Sequence, residues 1–167
     1  MSYKITVTHT QESLFDFLLY HTYSRASGFL INVLSFAVFL LGALQLAFDR
    51  ISLFRFIAYL LASFAFLGYT PLQLKLRAKN QLQSNPLYAQ PKEFTFSEDG
   101  ICVSNGTDPA QYPWSKITHT VTTPKNIGFY YGADQALIVP KSCFGSQFVP
   151  IMQLTIQALG RHKVRLR

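Results

Sequence analysis

Two long apolar runs set almost end to end, FLINVLSFAVFLLGALQLAF from Phe29 to Phe48 and FIAYLLASFAFLGYTPLQL from Phe56 to Leu74, constrain this chain more than any other feature. At 1.5 Å per residue the first makes a helix of about 30 Å, the hydrocarbon thickness of a bilayer, and the second has similar reach. Only Asp49 to Arg55 separate them. A link this short brings the second helix back to the side on which the first began. A transmembrane hairpin with both chain ends in one compartment is therefore expected. The first run is too long, and starts too late, to be the apolar stretch of a cleavable signal peptide, so the hairpin is expected to stay in the mature protein.

The charges give the hairpin an orientation. Arg25 precedes the first run, and Lys75, Arg77 and Lys79 follow the second, against Arg50 and Arg55 at the connecting turn. By the positive-inside rule both termini are cytoplasmic, and Arg25, Lys75, Arg77 and Lys79 are expected to lie at the lipid headgroups. The net charge of +7 is not interleaved with a nucleic-acid motif, so membrane lipids are the expected partner of the basic residues and nucleic acid is not. Cys102 and Cys143 both fall outside the runs, where a cytoplasmic setting keeps them reduced.

The flanks read as folded structure. In YKITVT, Tyr3, Ile5 and Val7 alternate with Lys4, Thr6 and Thr8, the period of a half-buried strand. Thr10 is placed to cap a helix ending near Tyr23, with Leu14, Phe15, Phe17 and Leu18 on its apolar side, and that helix is expected to lie against the bilayer. His9 and His21 lack companions at metal-ligand spacing and read as surface or interface histidines. Within the hairpin, Ala43/Ala47 and Ala58/Ala62 are small pairs four apart that suit close helix packing. The pattern LKLRAKNQLQ beyond Pro71 carries the second helix into the cytoplasm, and Asn85-Pro86 ends it.

Beyond residue 92 the chain turns to short alternating segments punctuated by Gly, Pro, Asn and Asp. Glu98-Asp99-Gly100 joins two strands into a hairpin with Phe94, Phe96, Ile101 and Val103 on its buried face. Asn105-Gly106-Thr107 is the next turn. In KITHTVTT, Ile117, His119 and Val121 form the apolar side of a strand, which makes His119 a core histidine rather than a catalytic one. Strands over 127–131 and 135–140 follow. From Ser146 the period becomes helical, with Phe148, Ile151, Met152, Ile156 and Leu159 in one stripe and Gly160 as its stop. The basic tail from Arg161 to Arg167 is open to three readings: an edge strand, a disordered end or a lipid contact. The organisation expected is an N-terminal strand and interfacial helix over 1–28, a membrane hairpin with its extension over 29–83, and an α+β soluble domain over 92–167.

The order FTFSEDGICVSNG, then YPWSKI, then ALIVPKSCF and a closing helix, behind two membrane helices, resembles the YcxB-like family of bacterial membrane proteins. The anchors are Phe96, Gly100, Pro113, Trp114, Pro140, Lys141 and Phe144. The resemblance implies a bacterial inner-membrane protein whose soluble domain is similar to a pleckstrin-homology (PH) domain, a curved antiparallel sheet capped by a C-terminal helix. In such a domain Trp114 and Pro140 are framework residues. That fold is short of a strand here, and residues 3 to 8 are expected to supply it by pairing with an exposed edge.

No phosphate-cradling glycine loop, C-x-x-C, H-E-x-x-H or G-x-S-x-G occurs, so no enzymatic activity, catalytic residue, cofactor or metal is expected. The carboxylates read as solvating and turn-forming. The function expected is binding, of a protein partner not identified by the sequence or of an anionic lipid surface. The alternative is an immunity or stress protein that acts on another membrane protein through its hairpin. The sequence leaves the oligomeric state open.

Overall fold

A computed structural model describes residues 2–24, 26–84, 88, 90–104 and 109–165. Arg25, the turns at Asn85-Pro86 and Asn105-Gly106-Thr107, and the last two residues lie outside them. The described chain divides into two compact units, Met1–Phe17 with Ala78–Arg167, and Leu18–Arg77.

The first unit holds two sheets of four strands. β1 (Tyr3–Val7), β2 (Lys92–Phe96), β3 (Gly100–Ser104) and β4 (Ala110–Pro113) form an antiparallel meander in that order. The N-terminal strand pairs with β2, Val7 opposite Lys92 and Tyr3 opposite Phe96, so the edge left by the β2–β3 hairpin is covered. The second sheet runs β7-β6-β5-β8, built from β5 (His119–Thr122), β6 (Asn126–Tyr130), β7 (Ala136–Pro140) and the short β8 (Val164–Arg165). Of the readings open for the tail, Val164–Arg165 takes the edge strand, parallel to β5.

A C-terminal helix, labelled α4 below (Phe148–Leu159), closes the core. Pro150 sits in its first turn, where its missing N–H costs no hydrogen bond. Gly160, at φ 83°, ends it with its N–H on the Ile156 carbonyl. Ile151, Met152 and Leu159 then meet Ile5, Phe94, Ile101 and Phe129 in one apolar cluster. Phe96 is at its centre, with ring centroids 5.6 Å from Phe129 and 6.2 Å from Phe144.

The second sheet is covered on both faces, and this overturns one expectation. All five residues of β6 are buried. Ile127 and Phe129 face the core, while Asn126, Gly128 and Tyr130 face the helix α1 (Gln11–Tyr23). In β5 the register sets Thr120 and Thr122 beside Phe129 and Ile127, and His119 and Val121 beside Tyr130 and Gly128. The threonines therefore take the core side and His119 the outer side, the reverse of what their polarity suggests. His119 is half-buried, stacked on Tyr130 at 4.5 Å, and is not a core histidine.

The first half of α1 packs on protein instead of being left for the bilayer. Thr10 and Ser13 cap its start reciprocally, each side-chain oxygen accepting from the other's N–H at 3.1 Å. Asp16 accepts from the Lys125 N–H at 3.1 Å and from Asn126 Nδ2 at 2.9 Å, and Asn126 Nδ2 also donates to the Ser13 carbonyl. Phe17 lies over Gly128, where an added Cβ would come 2.5 Å from its ring.

The second unit contains most of two long helices, α2 (Ala26–Ala47) and α3 (Leu53–Ser84), the latter running on through Pro71 and into the first unit. α2 ends in a Schellman motif with Asp49 at φ 54°, the Arg50 N–H on the Gln45 carbonyl and the Asp49 N–H on that of Leu46. Both helices are long and apolar enough to cross a membrane, and only 11% of each apolar stretch is buried. Their apolar surface faces outward, as in Phe29, Phe36, Leu44, Leu61 and Phe64.

The helices meet through small residues other than those expected. Ser35 Oγ donates to the Ser63 carbonyl at 2.8 Å and Ser63 Oγ to the Ser35 carbonyl at 3.0 Å, a reciprocal clasp. Seven residues along α2 from it, Gly42 lies against Phe56 and Tyr59 of α3, while Gly28 near the start of α2 lies against Thr22 and Tyr23. Ser35, Gly42 and Ser63 are buried, whereas Ala47 and Ala58 are exposed and Ala43 and Ala62 are half-buried. A Cβ on Gly42 would stand 2.7 Å from that of Tyr59, so glycine sets the approach. The seven-residue spacing is that of a left-handed helix pair.

Candidate functional site

The strand parities of the first sheet continue past its ends and build a site there. Tyr3, Ile5 and Val7 point inward from β1, and His9 keeps that parity two residues beyond it. On β2 the inward series is Lys92, Phe94 and Phe96, with Lys92 only 8% exposed. A lysine thus stands on the apolar face of a strand, opposite Val7, which is fully buried.

His9, Lys92 and Phe94 line a cavity of about 200 Å³ within the first unit. Its polar wall is His9, Tyr88, Lys92, Tyr112 and Tyr131, and Phe94, Val103 and Leu137 supply apolar surface. His9 stands edge-on to Tyr88 with centroids 5.1 Å apart, and Tyr112 lies against Tyr131 at 4.9 Å. His9 Nδ1 is buried and has no hydrogen-bond partner among the described residues.

Burial governs the electrostatics. It lowers the pKa of His9 to about 4, with the nearby Lys92 ammonium adding to the effect, so the imidazole is neutral near pH 7. Burial also pulls Lys92 below the ordinary lysine range and pushes the phenols of Tyr88 and Tyr131 up. Ion pairs of the described residues join Lys4 to Glu93 and Lys125 to Glu12, leaving Lys92 without a described carboxylate. The cavity holds one positive charge and several hydrogen-bonding groups beside an apolar wall.

None of this was assigned from the sequence, which began the strand at Phe94 and made His9 a surface or interface histidine. The available signal was the alternation itself. Carried two residues outward on each strand, it puts both His9 and Lys92 on the inward side.

The residues expected to matter lie elsewhere and do not converge. Lys75, Arg77 and Lys79 are exposed on α3, with Lys75 and Lys79 one turn apart on one side and Arg77 on another. Arg25 lies outside the described residues. Trp114 is buried in the core, its indole donating to the Ser97 carbonyl at 2.9 Å and its N–H to that of Asp99, so it ties down the β2–β3 turn. Gly100 in that turn leaves no room for a side chain, since a Cβ would come 2.7 Å from Pro113 Cα. Pro140 ends β7 opposite Asn126. Asp16, read as a solvating carboxylate, instead fastens α1 to the turn before β6.

Residues 96–149 match the YcxB-like protein family. The YcxB-like segment starts at the last residue of β2 and stops in the first turn of α4. It includes Tyr112 and Tyr131 of the cavity, while His9 and Lys92 come from outside it. No curated protein matches the chain, nor does any solved structure.

Proposed function

We propose that this chain is a membrane-anchored binding protein of the bacterial inner membrane, with two spanning helices and both termini in the cytoplasm. Its YcxB-like segment is the larger part of a PH-like cytoplasmic domain. Two facing sheets with a helix closing the core, completed by a strand from the N-terminus, support that likeness. A PH-like fold carries no function of its own, so the function is argued from the surface.

The observation that carries the reading is on α3. The helix has no acidic residue, and where its apolar stretch ends it presents Lys75, Arg77 and Lys79 to solvent. Placed at the cytoplasmic headgroups, each adds about 1 kcal/mol of attraction to anionic lipid. The chain binds through these residues to an anionic membrane surface and holds its domain there.

The test is lipid selectivity of the full chain, reconstituted in a neutral bilayer containing a minority of phosphatidylglycerol. We expect phosphatidylglycerol to be enriched severalfold among lipids that remain with the protein. The combined change Lys75→Gln, Arg77→Gln and Lys79→Gln should remove that enrichment and leave the fold intact. Equal enrichment in the variant would overturn the assignment.

A further inference from the structure

We propose that the cavity lined by His9 and Lys92 binds a small carboxylic acid, as its anion, whose apolar body is about the size of one ring. Lys92 stands on the inward face of β2 with most of its side chain withdrawn from water, and it lines the cavity. A partly desolvated ammonium beside an apolar wall is costly unless an anion or a set of acceptors meets it. No described carboxylate does so, and the adjacent ionisable group, His9, would repel it when protonated. An anion entering the cavity supplies the missing partner.

The other groups narrow its chemistry. With His9 neutral, Lys92 contributes one positive charge, which balances a monoanion and leaves a dianion with a charge to spare. Tyr131 and Tyr112 share a hydrogen bond at the cavity, which leaves one phenolic O–H between them to donate to a carboxylate oxygen, and the buried Nδ1 of His9 offers a further polar contact. Phe94 and Val103 give the apolar body its surface. A dry cavity of about 150 Å³ takes a benzene molecule. The volume here, about 200 Å³, leaves room for a ring and a carboxylate. The proposal does not depend on how the chain meets a membrane.

Titration of the full chain in detergent micelles with benzoate tests it, with benzyl alcohol as the neutral counterpart and phenyl phosphate as the dianion. Calorimetry should show one saturable benzoate site, with benzyl alcohol at least tenfold weaker. Lys92→Met should weaken benzoate at least tenfold while the Tm of the unliganded protein stays level or rises, because a partly desolvated charge with no described carboxylate partner has been removed. Failure of the wild-type chain to bind millimolar benzoate would overturn the proposal. So would unchanged benzoate affinity in the Met variant, or equal binding of benzyl alcohol. A fall in its Tm by several degrees would show that the native fold already satisfies the ammonium, and tighter binding of phenyl phosphate would overturn the monoanion assignment.

Discussion

His9 shows how far one residue's chemistry can depart from its sequence context. An isolated histidine next to Thr8 and Thr10 gives no sign of burial, yet the inward parity of β1 carries its ring into a cavity beside a lysine. Its folded pKa of about 4 lies below the ordinary value of 6.5. Between those values the unfolded chain takes up a proton that the folded chain refuses. The contribution of His9 to stability is thus complete above about pH 6.5 and falls as the pH drops toward 4, by roughly 2 kcal/mol at pH 5. Thermal unfolding at pH 7 and pH 5 should show a smaller loss for His9→Gln than for the wild type. Identical losses would mean that the imidazole protonates freely in the folded chain. Lys92 went unassigned for a related reason. Lysine is a poor predictor of an inward position, and only the register with Val7 reveals it.

At the level of elements, apolar periodicity located almost every helix and strand, because each has a face whose burial the pattern records. The pattern lost its meaning where a sheet is covered twice. In β5 a threonine series faces the core and His119 faces outward, since α1 covers the outer side of β6 and relieves that face of any need to be polar. Nothing in the spacing of α1 announces this third layer. Asp16 makes it specific, accepting hydrogen bonds from the Lys125 N–H and from the buried Asn126 amide. Asp16→Ala leaves those donors short of an acceptor, and hydrogen bonds to a charged group contribute about 1.5–3 kcal/mol. A loss of that order is expected in chemical unfolding, along with faster amide exchange over residues 11–17. Exchange unchanged from the wild type would show that Phe17 and Leu14 hold the helix without it. The hairpin seam was missed on similar grounds. Small residues are frequent in apolar helices, and the register that selects Ser35 and Gly42 depends on the partner helix. The serine clasp fixes that register more than it stabilises, since interhelical polar contacts in bilayers average about 0.6 kcal/mol.

On the scale of the whole molecule, the two apolar helices were legible because they need no partner to be recognised, only length and the absence of charge. The YcxB-like segment was legible through a few framework residues, Trp114 and Gly100 among them, whose roles in closing the β2–β3 turn are local. The cavity was not legible, because its groups come from β1, β2, β4 and the ends of β6 and β7, and only the folded sheets bring them together. The proposed membrane contact requires a cytoplasmic domain, and Cys102 and Cys143 report directly on its side of the membrane. Both belong to the sheet-bearing unit and are half-buried, and the chain has no other cysteine. Intact cells, lysed cells and denatured samples treated with a membrane-impermeant maleimide should differ, with labelling absent in intact cells and complete after lysis and denaturation. Labelling of intact cells would contradict the account, placing the domain, its cavity and the basic end of α3 on the outer side of the membrane.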